Sequence, residues 1–214
     1  MTSAAALRAV GVTSAALILI GIALLGELLG AFGDPDYVFI DYYDDSSNRA
    51  RGLIGGSALL VGALAFVAFG NLLLNRLDPD RESAIAGYAE RLSLLLATFV
   101  ITAAAALVTV DFSRGFADLF DETETPFEGS TVVVLPQFGY VLLLVAGGWT
   151  AAAFVALTSF VGRSGGTLPG IVSLLGFIVA AVLLLSPMTM PFVLFPIWVL
   201  IVAFAARPEA ETRA

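Results

Sequence analysis

The chain contains no cysteine, no histidine and no lysine; all of its basic residues are arginine. Without cysteine there is no disulfide framework, no thiolate nucleophile and no Cys/His zinc site. Without histidine, axial histidine ligation of haem and imidazole acid–base catalysis are excluded. Without lysine there is no Schiff base and no Walker-type phosphate loop. No cofactor-binding motif remains, so no cofactor is expected.

Charge is scarce and one-sided. Only 13% of the 214 residues are charged, and the net charge is −8. An acidic chain is a poor partner for nucleic acid, whose phosphates are neutralised by Lys and Arg. What is abundant is apolar surface: 59% of the residues are aliphatic, aromatic or methionine, and mean hydropathy is +0.96. A soluble domain of this size has too much surface to hide such a surplus in one core. The lipid bilayer is the partner this composition implies. A protein partner or a second copy of the chain stays open.

The apolar residues fall in long runs with few charges. A bilayer asks for about 20 such residues per helix. The expected spans are 9–31, 53–74, 92–110, 138–161, 168–185 and 190–206. The first has a short charged start like a secretory signal but is too long for one, and reads as an uncleaved span. The last two are separated at Pro187 and Pro191, which disfavour helix continuation. Residues 84–91 read as a helical lead-in to span three. Continuous apolar runs favour helices over barrel strands, which alternate apolar and polar residues. The fold class expected is all-α: a single polytopic domain of about six transmembrane helices. Residues 111–137 are expected to form an outer loop with a short amphipathic helix, because Phe112, Phe116, Leu119 and Phe120 share one helical sector.

Arginine placement sets the orientation. With six spans, Arg8, Arg76, Arg81, Arg91, Arg163, Arg207 and Arg213 share one side, and Arg49, Arg51 and Arg114 the other. The positive-inside rule then puts both termini in the cytoplasm of a multi-pass plasma-membrane protein. The outer loops are strongly acidic.

Few residues point to chemistry. Glu27 is the one carboxylate inside an expected span, and such a residue is costly unless paired or hydrated. It reads as reaching the interface or pairing with Arg49 or Arg51; a proton or cation site is the sharper reading. Glu90 and Arg91, entering span three, complete the candidates. The cluster Asp34, Asp36, Asp41, Asp44 and Asp45 lacks EF-hand spacing and reads as solvated, so no metal is expected. Gly52-x-x-x-Gly56 is a small-xxx-small pair suited to close helix packing within the chain. Tyr42, Tyr43, Tyr140, Phe195 and Trp198 read as interface anchors or packing, and Trp149 as packing or a lipid contact.

Three stretches carry a resemblance. They are Asn48-Arg49-Ala50-Arg51-Gly52 after an Asp-containing loop, Ile85 to Arg91 with its Gly87-Tyr88, and the ending Gly166-Thr167-Leu168-Pro169-Gly170 with Phe195-Pro196-Ile197-Trp198. With the span layout, they resemble the DUF4386 family of six-helix membrane proteins over nearly the whole chain. The Glu90-Arg91 order departs from that family's Arg-Glu-type turn. The resemblance implies six spans and carries no catalytic residue. The expected function is therefore a non-enzymatic membrane bundle with a scaffold, partner-binding or envelope role. The alternatives are a small proton- or cation-coupled transporter using Glu27 and, least supported, a membrane-embedded enzyme.

Overall fold

The structure is a computed structural model; it describes residues 4–26, 36–79, 83–119, 129–187 and 191–206. It is all-α, with no strand among the described residues. In chain order the helices are α1 (Ala4–Leu24), α2 (Asp36–Asp44), α3 (Ser46–Leu77), α4 (Ala84–Leu119) and α5 (Gly129–Tyr140). A π-helical segment, Val141–Gly147, leads into α6 (Gly148–Ser164). Then come α7 (Gly170–Leu183), a 3-10 turn at Pro191–Val193 and α8 (Leu194–Ala205).

Among the described residues, four continuous helices are long and apolar enough to cross a membrane: Ala4–Leu24, Ser46–Leu77, Ala84–Gly115 and Val132–Ser164. Gly170–Leu183 and Pro191–Ala205 are apolar but shorter. Helix α7 ends at Leu183, and the next described helical turn begins at Pro191. A proline offers no N–H donor and biases the residue before it away from helix.

Helices α3, α4 and α5 overrun their expected limits. At a rise of about 1.5 Å per residue, α4 is roughly 54 Å long, well beyond the ~30 Å of a hydrocarbon core. The expected outer loop at 111–137 is corrected accordingly. Residues 111–119 continue α4 and 129–137 begin α5. No separate amphipathic helix forms over 112–119, because no proline interrupts the chain between Val110 and Leu119 and the helix propagates. Phe112 is exposed; the side chains of Phe116 and Leu119, and the whole of Phe120, lie outside the described residues. Asp36–Asp44, read from sequence as a polar connection, is a helix of its own.

The long rods pack in a ring. α1 lies along α3, α3 along α4, α4 against α5 and α6, α6 along α7, α7 against α8, and α8 returns to α1. Phe66 of α3 meets Phe154 of α6 and Phe195 of α8 edge-on at the centre, with ring centroids 5.1 and 5.0 Å away. Trp198 stacks edge-on against Phe154 and is fully buried, so it is packing and not an interface anchor. The outward faces stay apolar: Ile54, Leu64, Ile171, Leu174, Ile178 and Phe204 are all exposed. Trp149 is 52% exposed and donates from Nε1 to the Leu184 carbonyl at 3.2 Å. Apolar surface on both faces of a helix marks one that meets lipid outside and protein inside.

α5 bends this pattern locally. Pro136 lies inside it and cannot donate to the preceding turn. The following π-helical segment widens the helix, and Ser186 Oγ donates to the Leu144 carbonyl there. At the far end of α6, Gly166 takes a left-handed φ of 68°, which lets the chain reverse into α7 in a few residues. Leu168 N–H closes that turn on the Gly162 carbonyl at 3.0 Å.

Candidate functional site

The bundle has two polar ends, which the aromatic centre separates. One end carries α2, the start of α3, the end of α4 and the start of α5. α3 begins with a cap: the Asp45 side chain accepts from Ser47 N–H at 2.7 Å. The Ser47 side chain and N–H hold the Asp45 carboxyl below its usual range. Beyond this cap the first turn of α3 presents Arg49 and Arg51. Arg49 donates to the carbonyls of Tyr43 at 2.8 Å and Asp44 at 3.3 Å, so it holds the last turn of α2. Cations belong at such a helix end, where unpaired carbonyls collect. Arg114 of α4 forms an ion pair with Asp44.

Asp111 lies beneath this arrangement. It is 0% exposed, and neither carboxylate oxygen has a hydrogen-bond partner among the described residues. Its carboxylate packs against Gly52 of α3, where a β-carbon would overlap it. One turn further, Gly56 leaves room for Val108 in the same way. The small-xxx-small pair thus packs α3 onto α4 inside the chain. Tyr43 is also 0% exposed, and its hydroxyl has no partner among the described residues. Burial, above all, raises that hydroxyl above the ordinary tyrosine value; a negative charge on Asp111 adds to the effect. Tyr140 of α5 is buried in the same neighbourhood. Among the described residues this carboxyl has no donor and this phenol no acceptor; a buried carboxyl of this kind can take up or release a proton, and no nucleophile stands beside a base there.

The expected candidates divide between the two ends. Glu27, with Asp34, lies outside the described residues. Arg49 joins the Asp111 cluster and acts electrostatically on the carboxylate. Arg51 is exposed beside it and its charge favours ionised Asp45. Glu90 and Arg91 lie at the opposite end. There they line a cleft of about 470 Å³ with Asn71, Asp78, Ser83 and Tyr88. Arg91 stands over the Tyr88 ring at 5.9 Å. At this end Arg76 Nε also donates to the Ala206 carbonyl at 3.1 Å, tying α3 to the end of α8.

Asp111, Tyr43, Tyr140 and Arg114 were not among the sequence candidates as a group. Asp111 reads as a polar-face residue if 112–120 form a separate amphipathic helix. The signal that finds it is the buried stripe of α4: Val100, Ala104, Leu107 and Asp111 recur at helical spacing on one face. The spacing of Gly162-Arg163-Ser164-Gly165-Gly166 fits G-x-S-x-G, yet a nucleophile elbow needs a strand before the serine. Here the segment ends helix α6, and Ser164 Oγ is bonded back to the Phe160 carbonyl at 2.9 Å.

No protein family, curated protein or solved structure matches the chain.

Proposed function

We propose that the chain is a multi-pass protein of the plasma membrane, with six spans and both termini in the cytoplasm. In this reading it works as a non-enzymatic bundle with a scaffold, partner-binding or envelope role. The six-span count is supported by the uncharged stretch 168–206, which holds the two shorter apolar helices Gly170–Leu183 and Pro191–Ala205. The orientation is supported by the arginines. Arg8, Arg76, Arg91 and Arg163 belong to the end away from α2, and Arg49, Arg51 and Arg114 to the α2 end.

The observation that carries the non-catalytic reading is the aromatic centre. Phe66, Phe69, Phe154, Phe195 and Trp198 are fully buried between the two polar ends. A reaction at membrane depth requires an acid, base or activated nucleophile there; among the described residues this core adds to its rings only the hydroxyls of Thr158, Ser159 and Ser173 and the Trp198 indole N–H. A transporter reading is favoured by one observation, the buried carboxyl of Asp111.

Proteoliposomes loaded with a pH-sensitive dye separate the two. With a proton gradient imposed, wild type, Asp111→Asn and Glu27→Gln should all leak protons at the rate of protein-free vesicles. A wild-type flux above that background that disappears in either variant overturns the scaffold in favour of the transporter.

A further inference from the structure

We infer that Asp111 is a proton-binding site whose occupancy is coupled to the docking of α2 on the bundle. The inference does not depend on whether the protein transports anything.

The arginines near Asp111 are committed to other partners. Arg114 lies three residues after Asp111 on the same helix, a spacing that allows a direct side-chain pair. It pairs instead with Asp44 of α2. Arg49 is near enough to act on the Asp111 charge, yet its guanidinium donates to the carbonyls of Tyr43 and Asp44. Arg114 and Arg49 are therefore both engaged in holding α2. From α2 itself the nearby titratable group is Tyr43, which feels the Asp111 charge, and its neighbour Tyr42 packs edge-on against it at 5.2 Å. From α5 the nearby titratable group is Tyr140. From α3 it is Arg49, with the bare backbone of Gly52.

In this docked arrangement an ionised Asp111 has no donor among the described residues, and an unpaired buried charge carries a large desolvation cost. A protonated Asp111 avoids that cost. If Asp111 ionises, its nearest relief is to recruit Arg114 or Arg49, and each recruitment removes a hold on α2. Docking of α2 and a proton on Asp111 thus favour one another. By linkage, the docked form binds the extra proton, so docking is strongest at low pH and is lost as pH rises.

The test uses the full chain in nanodiscs and follows amide hydrogen exchange of residues 36–44, corrected for the intrinsic effect of pH. Between about pH 5 and pH 9, wild-type protection should fall, approaching tenfold per pH unit beyond the midpoint. Asp111→Asn should hold α2 protected across the whole range. Asp111→Ser, neutral and smaller, should likewise remove the pH step if the Asn side chain disturbs folding. Tyr43→Phe should retain the step, because the carboxyl and not the phenol drives it. Wild-type protection that does not change with pH overturns the inference. So does a step that survives in Asp111→Asn or Asp111→Ser, or one that is lost in Tyr43→Phe. A release of α2 that follows sodium concentration at fixed pH assigns the site to a cation and also overturns it.

Discussion

The carboxylate of Asp111 occupies the space in front of the Gly52 backbone, and a β-carbon at Gly52 would overlap it. Helices α3 and α4 approach this closely because one contributes no side chain where the other contributes a buried acid. Gly52→Ala should therefore force the helices apart at the α2 end, at a cost of about 1–3 kcal/mol. Gly87 of α4 is the control, since nothing lies within 4 Å of its added β-carbon. Gly87→Ala should be neutral or stabilise by up to about 1 kcal/mol through helix propensity. Unfolding of both variants in one detergent checks the pair. Equal midpoints would contradict the close approach.

Phe66 is the hub of the aromatic centre. It lies within 5.0–6.3 Å of three other rings, on its own helix and on α6 and α8. Phe66→Ala should cost about 3–5 kcal/mol, the usual range for an emptied aromatic site. Phe160, 48% exposed on α6, should lose little by the same change. A thermal shift for Phe66→Ala no larger than that for Phe160→Ala would show that the ring centre does not hold the bundle.

The Asp45 cap has a defined pH dependence. Hydrogen bonds from Ser47 lower its proton affinity in the folded chain. A group with a lowered value contributes above its unfolded value, and the contribution is lost as pH falls through the folded one. The first turn of α3 should thus be firm at neutral pH and fray in acid. Asp45→Ala should speed exchange of the Ser47 amide at neutral pH, while Asp45→Asn, still a good cap, should keep most of the protection. An unchanged Ser47 exchange rate in Asp45→Ala would rule out the cap.

The all-α character of the fold is legible in the sequence because long apolar runs leave the backbone no other way to bond in lipid. The break between the last two helices is legible at Pro187 and Pro191. Helix ends are less so. Residues 111–119 are polar enough to resemble a loop, yet no residue among them stops the propagation of α4. Asp111 illustrates the harder limit. Its burial depends on Gly52, 59 positions earlier, and on a helix α2 that the acidic composition of residues 36–44 disguises as solvated loop. Such a contact is a tertiary fact, and only the i, i+4, i+7 and i+11 stripe from Val100 hints at it.

The central claim is a bundle that crosses the membrane with the α2 end outside. The natural absence of cysteine makes this directly measurable. Ser46 and Ser164 are exposed at opposite ends of the bundle. Single-cysteine variants Ser46→Cys and Ser164→Cys can be treated on intact cells with a membrane-impermeant maleimide. The expected result is labelling of Ser46→Cys from outside and of Ser164→Cys only after permeabilisation. Labelling of both from the same side, or of Ser164→Cys alone on intact cells, would contradict it.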